Sequence, residues 1–211
     1  MKNPWLQIPV EDYEGHMSHP GVMQLQMLDE IFREVLKEFK PDSIAVLCST
    51  AGNGFQHLLG QNFNRVVGID INFKYLAECK AWFIQDIQNL QLICADLNEL
   101  EFVDDTFDLI HAALIFEYVE IKNVLSKISR WLKPGGILTV VLQQHKEDTG
   151  KISETPYASI KLLKNFIKIV DEKKFLKTAF ANKFIELKKY TVLPENNKNF
   201  SVIYLKKQKA G

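Results

Sequence analysis

The 211-residue chain has no apolar run long enough to cross a bilayer, since stretches such as Gly136 to Leu142 fall far short of the roughly 20 residues required. No membrane partner is expected. It also lacks an excess of charge of either sign. Lysine plus arginine number 26 and aspartate plus glutamate 26, so no chain-wide field draws it to phosphate polymers, and nucleic acid is not an expected partner. Cysteine is scarce. Cys48, Cys79 and Cys94 are odd in number, widely spaced and set among apolar residues without the close pairs of a zinc site. They are expected to be buried free thiols, and no metal is expected. The N-terminal residues lack the apolar run of a secretory signal, which places the chain in the cytoplasm as an expectation. There is no internal repeat, low-complexity tract or domain linker. With 46% apolar residues, the length suits one core and one domain over 1–211.

Along the chain, the opening to Pro20 reads as irregular. Val22, Leu25, Leu28, Ile31, Val35 and Leu36 then recur at helical spacing up to Lys40-Pro41, so residues 1–40 form a cap segment and a helix. Ser43 to Cys48 reads as a strand buried on both faces. The turn Ala51-Gly52-Asn53-Gly54 follows, with a short helix over Phe55 to Leu59. Arg65 to Asp70 is a second strand, Phe73 to Ile84 a helix, Leu90 to Cys94 a third strand and Phe107 to Ala113 a fourth. Ile121 to Leu132 is a helix stopped by Lys133-Pro134-Gly135-Gly136, and Ile137 to Leu142 is a fifth strand. Residues 143–170 read as an inserted cover, polar to Pro156 and helical from Tyr157 to Val170. Phe184 to Val192 and Phe200 to Leu205 suit an antiparallel hairpin. The alternation predicts an α/β fold: a mostly parallel seven-stranded sheet with helices on both faces and a C-terminal antiparallel hairpin.

In an open α/β sheet a nucleotide-like ligand lies across the carboxyl ends of the strands. Gly52 and Gly54 sit in the first such loop, where the missing β-carbon permits unusual dihedrals and close backbone approach. Alone, the pair reads equally well as a tight turn without a ligand. Asp70 closes the second strand about 20 residues later, the spacing at which a carboxylate meets ribose hydroxyls. Asp96 closes the third strand, placed to accept from an adenine amino group, with Ile71 and Leu97 on either side of the ring. Two carboxylates at consecutive strand ends behind a glycine turn point to an adenosine-bearing cofactor.

The order of these pieces resembles the class I S-adenosylmethionine-dependent methyltransferases. Val46-Leu47-Cys48-Ser49-Thr50-Ala51-Gly52-Asn53-Gly54 stands where that family has acid-x-Gly-x-Gly-x-Gly. Val67-Gly68-Ile69-Asp70 resembles its ribose-binding strand and Cys94-Ala95-Asp96-Leu97 its adenine-binding turn. Phe107 to Leu114 is similar to its fourth strand, which brings Ala112 beside the methionine part of the cofactor. Trp131 to Leu138 matches the turn into its fifth strand. The resemblance implies S-adenosylmethionine as cofactor and methyl transfer to a small-molecule acceptor. It covers residues 40 to 142 well and the C-terminal part more loosely.

Cys48 departs from the family's acid, and Thr50 from its first glycine. A β-branched residue adopts positive φ only at a cost, so the loop must take another path or carry strain. Thr50 can also offer its hydroxyl to the cofactor's carboxylate, with Tyr13 or His16 folding over the same end. Methyl transfer mainly requires alignment of a nucleophile and exclusion of water. If a general base is used, the candidates are His16, His111 and His145, each of which reads equally as a packing or solvent-facing imidazole. Tyr13, Glu117, Tyr118 and Tyr157 are the candidate acceptor contacts. Two rivals remain at this point: a non-catalytic cofactor-binding or interaction protein on the same fold, and a dinucleotide-dependent oxidoreductase, whose third glycine is missing after Gly54. The sequence leaves the acceptor and the oligomeric state open.

Overall fold

Strand β1 (Ser43–Leu47) is buried at all five positions, as a short apolar run between turn residues must be when both sheet faces are covered. It pairs in parallel with β2 (Arg65–Asp70) on one side and β4 (Phe107–Ala113) on the other. Outside these lie β3 (Leu90–Cys94) against β2 and β5 (Leu132–Gln143) against β4, again parallel. The hairpin of β6 (Phe184–Val192) and β7 (Phe200–Lys207) completes a seven-stranded sheet in the order β3-β2-β1-β4-β5-β7-β6, with β7 antiparallel to β5. This is the expected mostly parallel sheet with a closing hairpin. A classic dinucleotide-binding sheet runs 3-2-1-4-5-6 and carries no β7 wedged inside its edge. The computed structural model describes residues 3–144, 150–194 and 198–209.

Among the described residues, five α-helices flank the sheet: α1 (Val10–Ser18), α2 (Gln24–Phe39), α3 (Phe73–Phe83), α4 (Ile121–Trp131) and α5 (Glu172–Ala181). One core joins Ile128 and Trp131 of α4 and Phe175 of α5 to Phe107, Leu138 and Ile203 of the sheet. The other joins Phe32 and Val35 of α2 and Cys79 of α3 to Ile44, Val66 and Tyr204. Helices therefore lie on both faces. α2 stops at Lys40, which turns left-handed at φ 44° just before Pro41. At the amino-terminal edge, Asp108 accepts from the Ser43 hydroxyl at 2.6 Å and from Lys133 Nζ at 2.9 Å, tying β1, β4 and β5 together.

Three local expectations are corrected, and one helix is added. The opening is not irregular, because α1 forms there and its Gly15 leaves room for the Tyr157 ring, which occupies the space a β-carbon would need. Tyr157 to Val170 is not one helix: only Ala158–Leu163 makes a 3-10 turn. Turn bonds carry the backbone on to Ile167, and the Lys168 N–H then bonds the Glu117 carbonyl at 3.0 Å, a tertiary partner in place of a helical one. α5 has no counterpart in the sequence reading, although Asp171 caps it and Phe175 and Ala179 bury the same face. Finally, only Cys79 of the three free thiols is buried, with Cys48 half-buried and Cys94 exposed.

Candidate active site

The carboxyl ends of β1, β2, β3 and β4 open into a cavity of about 260 Å³, roofed by the N-terminal segment and by residues 151–167. The chain order reverses here, stepping from β3 at one edge back across β1 to β4, which is where such folds bind ligands. Asp70, at the tip of β2, is 4% exposed. Its two oxygens accept the Thr50 N–H at 3.1 Å and the Asn72 N–H at 2.8 Å. Burial pushes its pKa up to about 6, against the downward pull of these N–H groups. Each oxygen keeps a lone pair for a further donor.

Asp96 lines the same cavity from beyond β3, and its Oδ1 holds the Asn98 N–H at 2.8 Å and the Asn98 side-chain amide at 2.9 Å. The Cys48 thiol, just past the end of β1, is pushed well up by burial and by the charges of Asp70 and Asp96. One thiol feels both carboxylates, so the pair face a shared space. Ile71 and Leu97 also line it.

The loop after β1 carries the strain its sequence foreshadows. Cys48 and Thr50 adopt φ of 56° and 49°, and Leu114 beyond β4 adopts 53°. All three line the cavity. Left-handed backbone costs a non-glycine residue roughly 1–2 kcal/mol, and such strain concentrates at functional sites. At Thr50 it aims the N–H at Asp70, and the hydroxyl bonds the Tyr13 side chain.

The roof is anchored to the sheet. Asn72 caps α3 through Lys74 N–H and donates its amide to the Trp5 carbonyl at 2.9 Å, while the Tyr75 hydroxyl donates to the Ile8 carbonyl at 3.1 Å. Trp5 then packs edge-on against Tyr13 and Tyr118, with ring centroids 5.9 and 5.0 Å apart.

Glu117 lies in the loop after β4, 1% exposed. Its Oε1 accepts the Gln143 N–H at 2.9 Å, whereas Oε2 is buried without a hydrogen-bond partner. Leaving such an atom unpaired costs on the order of 1–3 kcal/mol. Burial pushes the carboxyl up to about 7. The two described candidate histidines differ from it. His16 bonds the Thr155 hydroxyl and His111 the Thr139 hydroxyl, each through Nδ1 at 2.8 Å. Burial lowers each to about 4, with the Lys198 and His19 charges adding to the effect at His16. Both imidazoles are neutral near pH 7 and poorly matched to proton abstraction there, where Glu117 is well matched. The sequence carries a sign of this in Leu114-Ile115-Phe116-Glu117-Tyr118-Val119, a lone acid inside an apolar run. His145 lies outside the described residues.

The structure thus brings Tyr13, His16, Thr50, Asp70, Ile71, Asp96, Leu97, His111, Glu117 and Tyr118 to one cavity. It does not bring Gly52, Gly54, Ala112 or Tyr157 there. Gly52 and Gly54 have φ of 93° and 84°, and their absent β-carbons make room for Phe83 and Phe32 rather than for the cavity. Their loop contributes Cys48, Ser49, Thr50 and Asn53 instead. Ala112 points to the other sheet face, since alternation along β4 sends His111 and Ala113 to the cavity. Tyr157 borders a separate hollow with Gly150 and Lys164. His57 pairs with Asp29 of α2 at 3.0 Å.

Comparison with known proteins agrees with this geometry. Residues 45–140 match the methyltransferase domain family. Phosphoethanolamine N-methyltransferase 1 of Triticum aestivum is 24% identical over 163 residues, covering 69% of this chain and 32% of its own, so the chain spans about a third of that relative. Among solved structures, phosphoethanolamine N-methyltransferase 2 of Haemonchus contortus, crystallised with S-adenosyl-L-methionine, superposes with a TM-score of 0.68 at 16% identity over 85% of this chain and 53% of that one. The [4+2]-cyclase SpnF superposes at 0.69 with 16% identity over 88% and 83% of the two chains. Residues 45–140 therefore match a methyltransferase domain, and the sheet order is that of the Rossmann-like methyltransferase fold.

Proposed function

We propose that this chain moves a methyl group from S-adenosylmethionine to a small-molecule acceptor held beneath its N-terminal roof. The observation that carries the reading is Asp70, a buried carboxylate whose two oxygens are oriented by the Thr50 and Asn72 N–H groups and share a cavity with Asp96. The residues present suit the cofactor. Asp70 is placed for a vicinal diol, Asp96 for an exocyclic amine, and Ile71 and Leu97 for the faces of a planar base. When bound, the cofactor supplies an electrophilic methyl group on a positively charged sulfur.

The chain's own work is binding, orientation and exclusion of water. Tyr13 and Tyr118 are held protonated by burial, so their hydroxyls can donate to an acceptor or a carboxylate. Trp5, Tyr13 and Tyr118 present aromatic surface suited to a cationic centre. Cys48 stays a neutral thiol where the family carries an acid, which removes one anionic contact and weakens cofactor binding relative to an acidic residue. The described residues of the segments 1–40 and 143–170 act as covers within a single domain, supported by Trp5, His16, Ile152 and Phe166 in the cavity wall. The acceptor is not nucleic acid, in keeping with the net charge of zero. Three free thiols, one exposed, suit the reducing cytoplasm.

Thermal melting with and without ligand tests the reading. S-adenosylmethionine and S-adenosylhomocysteine should both raise the melting temperature in a concentration-dependent way, and NAD should leave it unchanged. Stabilisation by NAD, or by none of the three, contradicts the proposal. The Cys48 and Thr50 departures favour one second reading, a protein that binds the cofactor without transferring its methyl group. Stabilisation by S-adenosylhomocysteine without methylation of any acceptor in a small-molecule library would support it.

A further inference from the structure

The methyltransferase reading leaves one group without a task. Glu117 is buried in a loop whose other residues have ordinary roles: Phe116 packs on Phe175 with ring centroids 4.8 Å apart, and the Tyr118 N–H closes a turn on the Ile115 carbonyl. An apolar residue at 117 would satisfy the packing, and a glutamine would satisfy the Gln143 N–H equally well. The distinguishing property of a glutamate is Oε2, which has no hydrogen-bond partner. No positively charged side chain bonds either of its oxygens among the described residues. Lys151 and Lys198 also line the cavity, with their ammonium groups donating to the Ile167 and Lys151 carbonyls.

A buried acid of this kind is completed by a ligand that brings both a hydrogen-bond donor and a positive charge, because a charge pair offsets desolvation that a neutral donor leaves standing. The surrounding rings point the same way. Tyr118 stacks on Phe166 at 6.1 Å and meets Trp5 edge-on, so aromatic surface, which attracts cations, lies beside the carboxylate. We propose that this end of the cavity takes a small protonated amine as the methyl acceptor, with its N–H group donated to Oε2 of Glu117. The inference rests on the methyltransferase reading and adds the class of acceptor to it. A bound ammonium must also shed a proton before its nitrogen lone pair is free. The proton passes to Oε2 and the pair stays on nitrogen. A carboxyl near pH 7 is better suited to receive it than His16 or His111 near 4.

Calorimetric titration of the full chain with ethylamine, dimethylamine and ethanolamine, alongside ethanol and ethylene glycol, tests the assignment. Each is measured with and without S-adenosylhomocysteine. The amines should bind wild type in preference to the alcohols. Glu117→Gln should bind the amines about 10-fold to 100-fold more weakly, the worth of a charge-assisted hydrogen bond, with its S-adenosylhomocysteine affinity unchanged. Glu117→Asp, which keeps the charge on a shorter stem, should fall between the two. A melting curve for each variant establishes that it is folded. Equal binding of amines and alcohols, undiminished amine binding by Glu117→Gln, or no amine binding by a protein that binds S-adenosylhomocysteine overturns the proposal. Failure of wild type to bind S-adenosylhomocysteine at all overturns the underlying reading instead.

Discussion

Two buried carboxylates sit in one cavity, and they are treated differently by the chain around them. Asp70 has each oxygen held by a backbone N–H from its own or the neighbouring strand-end loop. Glu117 has one oxygen held and the other bare. The difference follows from the supporting backbone. The loops after β1 and β2 turn sharply and direct N–H groups inward, at the cost of positive φ at Cys48 and Thr50. Glu117 stands where a strand end, Gln143, meets a cover segment, Lys168, and the cover bonds its carbonyl rather than its side chain. Asp70 is thus preorganised, whereas Glu117 is left to be completed by a ligand.

The largest expected effect is the pH dependence that burial of Glu117 imposes on stability. The folded-state pKa of Glu117, about 7, exceeds its ordinary 4.5, so folding favours the neutral form. That contribution is full below about pH 4.5, is lost as pH rises to about 7, and is flat above. Glu117→Gln has no such loss. In denaturant unfolding it should match wild type near pH 4 and exceed it near pH 8 by on the order of 3 kcal/mol. A pH-independent difference would remove Glu117 from its apolar setting. Next in size, Asp70→Ala should weaken S-adenosylhomocysteine binding by about 1.5–3 kcal/mol in calorimetry. Equal sensitivity of that ligand to Glu117→Gln would erase the division between the two ends. Smallest, Thr50→Gly relieves the positive φ and should raise stability by up to about 1 kcal/mol, reduced by the lost bond to Tyr13. A clear loss of stability would show that the hydroxyl matters more than the strain.

Sequence and structure agree best where local pattern and tertiary role coincide. β2, β3 and β4 fall on the expected residues because each is a short apolar run bounded by turns. Asp70 and Asp96 were legible as strand ends with the spacing of a cofactor site. What was hidden depends on long-range contacts. α1 has weak amphipathicity and a central glycine, whose reason is Tyr157, far along the chain. The apolar spacing of Ile160, Leu163, Ile167 and Val170 imitates a helix, although local turn bonds end at Ile167 and a tertiary hydrogen bond takes over at Lys168. The glycines of the first loop announced a ligand, yet their open space is filled by Phe83 and Phe32. The unpaired oxygen of Glu117 is a property of the packed state alone, and only the acid's apolar neighbours hinted at it.

A crystal structure of the chain with S-adenosylhomocysteine addresses the central claim most directly. The ribose hydroxyls are predicted to donate to Asp70, with the adenine between Ile71 and Leu97 and its amino group on Asp96. Adenosine bound away from Asp70, or a cavity closed by Tyr13 and Trp5 at saturating ligand, would contradict it.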